Sequence, residues 1–417
     1  MITSMMNARS LYAAAALLLA GATSTVSAAT VNVTIACSGQ IDDAINSALG
    51  MISPSGPSDL AITLTGDGVC NVLQAHPISG AVSVSLIGPG FGTALYMGGS
   101  QFVPRFQVTD GARFSLNNLL VENALRSVVS VTNATFAADN VKFTNNQSDQ
   151  AGAIFATGSA VTITHSVFEF NSAALDGAAI AMYGPGAGSL TVSDTWFSNN
   201  QFVSTIGRGG AIFSSGVAVT LDRVLFDTNK APSNAGGAIY IDGGNLTVRN
   251  STFTGNQAQW GGAIAIANPA SNSTLLNNVT MRADSASLDG SELHVSGTVA
   301  ASAIAITNSL ISGTCFGLTS PGAHNSIESP GNTCGLPAGT NSVSVADANL
   351  HLGTLSDNGG YTRSFFPQTF SVLIDGGGND CEGVDQRNFT RNVGTCDVGA
   401  VEAGAIDRIF VGTFEAN

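Results

Sequence analysis

Acidic and basic side chains are where chemistry would have to reside in this chain, and they are few. Its 417 residues hold 28 Asp and Glu against 14 Lys and Arg, and the only lysines are Lys142 and Lys230. A polysaccharide lyase requires carboxylates around calcium and a base for the proton beside a uronate carboxylate. Arg223 with Asp194 comes nearest to such a cluster, and a surface pair on successive windings is its plainer reading. A glycoside hydrolase requires two carboxyls facing each other across a sugar. Asp222 with Asp227, or Asp284 with Asp289 and Glu292, are spaced to supply them, and solvated turn acids are the alternative. Asp42 and Asp43 open a short helix, a place the helix dipole favours for acids. Gly376-Gly377-Gly378-Asn379-Asp380 is a single copy of a calcium-loop type glycine run, explained equally by an ordinary loop. The histidines, His76, His165, His294, His324 and His351, show no metal-ligand spacing, and neither a Gly-x-Ser-x-Gly elbow nor a phosphate-cradling loop occurs. No catalytic residue, metal site or cofactor is expected.

The elements that would position any site are far clearer. Five copies of Phe-x-x-Asn (Phe143/Asn146, Phe168/Asn171, Phe197/Asn200, Phe226/Asn229, Phe253/Asn256) are each followed by a small-small-Ala-Ile phrase ending at Ile154, Ile180, Ile212, Ile239 and Ile264. Successive Phe residues are 25, 29, 29 and 27 apart, a solenoid-type period. Within each period three strands are readable: the Ala-Ile strand, a Leu-Thr-Val strand such as Leu190-Thr191-Val192, and the strand bearing the Phe. With no helical period between them, this predicts an all-β parallel β-helix with three strands per rung. About ten rungs at roughly 4.8 Å each make a rod about 50 Å long. The Phe rings should stack inward in a column. The Asn residues should stack as an amide ladder at a corner, in left-handed backbone conformation. A second corner, three residues before each Phe, carries Asn140, His165, Asp194, Arg223 and Asn250, which makes Asp194 and Arg223 neighbours.

Around this core the chain divides as follows. Residues 1–28 read as a secretory leader, with basic Arg9, an apolar run from Leu11 to Ala20 and a cleavage site after Ala28. Residues 29–59 form an N-terminal cap whose amphipathic helix, Ile41 to Leu49, precedes the strands and covers their first edge. The β-helix occupies 60–345, with clear repeats over 136–270, followed by a terminal module over 346–403 and a tail over 404–417. No later segment is long and apolar enough for a transmembrane helix. The cysteines fall into three sequence-local pairs, Cys37/Cys70, Cys315/Cys334 and Cys381/Cys396, and export makes disulfides the default reading. A formal charge of −14 repels phosphate backbones, so nucleic acid is not an expected partner.

The paired phrases Gly-Gly-Ala-Ile and Phe-x-x-Asn resemble the repeats of the polymorphic outer membrane proteins of chlamydiae. The copies ending at Ile212, Ile239 and Ile264 match fully, whereas those at Ile154 and Ile180 keep one glycine each. The resemblance implies a right-handed β-helix at the surface of a Gram-negative-type bacterium, with adhesion as its role. Those proteins end in a large membrane β-barrel, for which the residues after 345 leave no room. Residues 350–402 are similar to the choice-of-anchor Q domain of bacterial secreted proteins. That likeness rests on Asp357-Asn358-Gly359-Gly360, Ile374-Asp375-Gly376, Asp385-Gln386-Arg387 and Cys396-Asp397-Val398-Gly399-Ala400. The combined expectation is an exported, non-enzymatic adhesin or binding scaffold. Its partner would be a host-cell or matrix surface or a polysaccharide, with loops such as Gln201 to Arg208 as the contact surface. A carbohydrate-active enzyme with its site on one β-helix face is the alternative, and a purely structural envelope component a third.

Overall fold

The computed structural model describes residues 30–404, apart from 67, 99–102, 185–187, 269–272, 298–302 and 392–394. The expected leader with its cleavage after Ala28, and the tail beyond residue 404, lie outside the described residues.

Windings of the chain lie directly on one another, and every pairing between the long strands is parallel. Phe143 pairs with Phe168, Phe168 with Phe197, Phe197 with Phe226 and Phe226 with Phe253. A ten-stranded sheet holds the Ala-Ile strands, so the molecule is a parallel β-solenoid of about ten turns. A 21-stranded sheet joins the Leu-Thr-Val and Phe strands in two adjoining columns. The three expected strands are present in the turn from Ile154–Thr157 through Ala160–Thr164 to Val167–Glu169. A fourth, short strand follows the Asn, as at Ser172–Ala173, and six of these form a sheet of their own.

The inward column behaves as its residue types dictate. Neighbouring rings from Phe143 to Phe253 are stacked 4.7 to 4.9 Å apart with interplanar angles of 14° or less, and all five are fully buried. Burying each ring contributes about 2–3 kcal/mol, repeated along the axis. Beside it runs the amide ladder. Asn146 Nδ2 donates to Asn171 Oδ1 at 3.0 Å, and the step recurs at 2.9 Å from Asn171 to Asn200, Asn200 to Asn229 and Asn229 to Asn256.

One expectation about this ladder is corrected. The left-handed residues are those just before the ladder, Asn145, Phe170, Asn199 and Thr228, with φ between 53° and 59°. Each ladder Asn must aim its amide inward and its own N–H along the axis at the next Oδ1. The chain reversal is therefore displaced onto the preceding residue. At the other corner, Asn140, His165, Asp194, Arg223 and Asn250 are left-handed as expected, with φ from 47° to 57°. The first glycine of the Gly-Gly-Ala-Ile phrase is equally constrained. At Gly209, with φ 71°, a Cβ would stand 2.1 Å from the Ile212 carbonyl oxygen.

The solenoid starts earlier than residue 60. Val31–Ala36 already pairs with Asp59–Thr65, so strands precede the helix as well as follow it. The helix, Asp42–Leu49, packs on Asp59–Thr65 and on His76–Ser79, the strand that opens the ten-stranded sheet. It buries Ile45 and Ala48 there. Asp42 is also fully buried, accepting from the Leu73 and Gln74 N–H groups and facing His76 Nε2 at 3.0 Å. The helix dipole alone does not account for it; Asp42 pins the helix to the following turn. All three cysteine pairs are bonded as sequence locality suggested, and Cys37–Cys70 links residues on neighbouring turns.

At the far end the Phe column passes through Met281 and Ile311 and finishes on buried Glu328. Its carboxylate accepts the Cys334 N–H at 3.1 Å, which closes the core beneath the Cys315–Cys334 bridge. The chain then doubles back along the corner of the 21-stranded sheet. Tyr361 meets the His165 ring at 4.3 Å, Arg363 pairs with Asp227 at 2.6 Å, and Gln386 accepts from Thr252 at 2.6 Å. Arg391 donates to Asn250 at 3.2 Å, and the Gly378 N–H donates to Asn308 at 2.9 Å. One flank of the solenoid is thus covered over the turns from His165 to Asn308 by residues 361–402.

Candidate functional site

Most acids and bases singled out by type and spacing are held apart or engaged. Arg223 makes two contacts of 2.7 and 2.8 Å with Asp194 and a further one with Asp222, so the expected neighbours do meet. They are not a surface pair, since both are largely buried beside the returning segment. Burial alone would lower the Arg223 pKa, yet the hydrogen bond and charge of Asp194 raise it, so this guanidinium is no proton acceptor. Asp222 also receives Asn250 Nδ2 at 3.0 Å, while Asp227 is taken by Arg363. Burial raises the pKa of both acids, opposed by their arginine partners. The two do not form a pair facing across a ligand.

Asp284 and Glu292 overturn the expectation of solvated turn acids. Asp284 follows Asn256 as the last member of the ladder, and its Oδ1 accepts from Asn256 N at 2.6 Å and Nδ2 at 2.8 Å. Glu292 stands where the repeats carry Ala, one residue before Leu293, the partner of Ile264. Both are buried, and Asp284 Oδ2 and both Glu292 carboxyl oxygens have no hydrogen-bond partner. Burial, and for Glu292 the adjacent acid, hold them protonated: Asp284 is raised to about 7 and Glu292 well above its usual range. Asp289, at the end of the exposed strand Ser285–Asp289, does not join them. A pair sealed from solvent offers a substrate no access. Among the described residues, no group of three or more His, Cys, Asp and Glu is placed to hold a metal ion.

The open surface lies on the outward side of the ten-stranded sheet. The residue after the Ile of each Ala-Ile strand points out, and in register these are Ser130, Phe155, Ala181, Phe213, Tyr240, Ala265, His294 and Phe316. Phe213 stacks on Tyr240 at 5.7 Å and His294 on Phe316 at 5.0 Å. Tyr183, two residues beyond Ala181, leans across to meet Phe155 at 5.6 Å and Phe213 at 5.1 Å. Its hydroxyl donates to Asp176, and Asp176 is gripped by Arg208 through two contacts of 3.0 Å. Burial first, then the Asp176 charge, push the Tyr183 pKa up and keep the phenol neutral. Arg208 lies over Phe213 and Tyr240.

A cavity of about 420 Å³ beside Phe155 and Ser130 adjoins one end of this ring series. A second, of about 270 Å³, lies between Tyr240 and His294. The loop expected as a contact surface lines neither cavity; Val203 and Ile206 are about 60% exposed at its tip, and Arg208 reaches inward over Phe213 and Tyr240. The rings themselves escaped the sequence reading. Their signal is the aromatic residue directly after Ile154, Ile212 and Ile239.

Residues 250–267 match the Chlamydia polymorphic membrane protein (Chlamydia_PMP) repeat. No curated protein matches the chain. Among solved structures, pectate lyase Pel9A aligns over 90% of this chain and 97% of its own, at 13% identity and a TM-score of 0.39. A mutant of the PL6 family alginate lyase AlyGC aligns over 91% of this chain and 60% of its own, at 14% identity and a TM-score of 0.32. Neither likeness transfers chemistry to this chain. Among the described residues, no helix is long and apolar enough to cross a membrane.

Proposed function

We propose that this chain is an exported surface protein of a Gram-negative-type bacterium that binds its partner without transforming it, using the outward face of the ten-stranded sheet. One observation carries the reading. The flank rich in acids and arginines is covered by residues 361–402 over the turns from His165 to Asn308, whereas on the other flank Phe155, Tyr183, Tyr240, His294 and Phe316 reach solvent around a buried Phe213, with cavities beside the rings. Aromatic surfaces with a polar rim are suited to recognition. The Chlamydia-type repeat supports a surface location, and residues 346–403 would act as the terminal module of the exported chain.

The test is to incubate the purified protein with immobilised glycans and fixed cells, and separately with pectin and alginate. Retention on a surface with no new reducing or unsaturated ends is expected. Cleavage of either uronan would replace this reading with that of a carbohydrate-active enzyme.

A further inference from the structure

The ring series on the open face contains two equivalent gaps, and the chain fills only one of them. Ala181 and Ala265 occupy the same outward column, three turns apart, and Tyr183 and Ala267 share the next column. At the first gap Tyr183 lies over Ala181 between two phenylalanine rings and spends its hydroxyl on Asp176. At the second, residue 267 is an alanine with no ring to offer. The series stops at Tyr240 and resumes at His294, and the cavity of about 270 Å³ lies between them, with Trp260 as a side wall.

We infer that this slot binds one pyranose ring of a neutral glycan, sandwiched between Tyr240 and His294; the inference rests on the reading of the face as a binding surface. Tyr183 shows what such a gap accommodates: a hydroxylated six-membered ring. Neighbouring turns are about 4.8 Å apart, so two rings two turns apart leave the thickness of one more. The rim is more polar than a phenol requires. Asn234 and Ser296 line it, and His294 Nδ1 is buried without a hydrogen-bond partner. Burial lowers the His294 pKa, so the imidazole is neutral and offers Nδ1 to a hydroxyl rather than to an anion. The nearby cation, Arg208, is committed to Asp176, and the formal charge of −14 disfavours a uronate polymer. The cavity at Phe155 lies on the same line four turns away, roughly 19 Å, within reach of a short oligosaccharide running along the axis.

The experiment titrates the whole protein with neutral oligosaccharides, galacturonate and mannuronate oligomers, and a tyrosine-bearing peptide, following Trp260 fluorescence and calorimetric heat. A neutral oligosaccharide should bind. Ala267→Tyr, which supplies in the chain the ring that Tyr183 supplies at the first gap, should weaken it at least about tenfold while leaving the melting temperature unchanged or higher. His294→Ala should weaken it too, which keeps the test intact if the first variant fails to fold. Unchanged glycan affinity in both variants would remove the slot but leave the surface-binding reading standing. Preference for the peptide or the uronates would overturn the sugar assignment, and no binding by any probe, alongside retention on cells, would do the same.

Discussion

At position 200 an Asn side chain uses its full hydrogen-bonding capacity. Its Nδ2 donates to the Phe168 carbonyl and to Asn229 Oδ1, and its Oδ1 accepts from Asn171 N and Nδ2. Asp has no donor to give there, so Asn200→Asp leaves buried acceptors unmatched and adds a buried charge. It should cost about 3–5 kcal/mol at neutral pH, measured by urea unfolding. At position 284 the same exchange run backwards should have the opposite sign. Asp284 needs Oδ1 only as an acceptor, and its Oδ2 and both Glu292 carboxyl oxygens are buried without a partner, so a charge on either acid is uncompensated. Its folded pKa, about 7, lies above the roughly 4 of an unfolded carboxyl. The stability this proton confers is therefore complete below about pH 4 and is lost as pH rises through about 7. Asp284→Asn supplies a permanent donor and continues the ladder. Its melting temperature should exceed the parent's at pH 8, by an amount equivalent to about 1–2 kcal/mol, and the difference should shrink toward pH 4. A difference independent of pH would mean that protonation of Asp284 contributes nothing to stability.

The strands could be read from sequence because each repeats a phrase at a near-constant period, and stacking converts period directly into register. Phe226 and Asn229 were assignable for that reason, and so were the disulfides, whose partners lie 15 to 33 residues apart. Contacts that cross registers were not. Asp42 finds His76 34 residues away, and Glu292 replaces an Ala whose inward direction only the stacked register reveals. The returning segment was least visible, because its partners are 70 to about 196 residues distant and follow no period. Its attachment is nonetheless specific. Arg391 is buried against Glu402 at 3.0 Å and holds Asn250 on the solenoid, so Arg391→Leu strands a buried carboxylate. Breaking such a pair costs about 3–5 kcal/mol. Limited proteolysis should cut within 361–402 much faster in this variant, while far-ultraviolet circular dichroism keeps the solenoid signal. Equal cleavage rates would show that the segment is held by its other contacts alone.

Across the whole molecule these contacts divide the turns into two groups. A solenoid is stabilised turn by turn through nearest neighbours, so its local opening free energies need not be uniform. From His165 to Asn308 six successive turns are bridged by one covalently continuous segment, itself closed by Cys381–Cys396. To open any one of them, the chain must also release part of that segment. Among the described residues, the turns from Val31 to Glu122 have no such brace, and their inward column carries Cys70, Leu95 and Val121 where the later turns carry stacked Phe rings. Cys37–Cys70 restrains only their outermost edge, closing a 33-residue separation at about 3–4 kcal/mol of chain entropy. Hydrogen exchange followed by mass spectrometry should therefore show residues 76–122 exchanging well before 160–312. Unfolding should depart from a two-state transition, with the N-terminal turns lost first. In Arg391→Leu the later turns should lose protection while the earlier ones keep theirs, narrowing the gap. If both groups exchange together in the parent protein, the brace adds nothing to the stacking of the turns themselves, and the solenoid melts as a single cooperative unit.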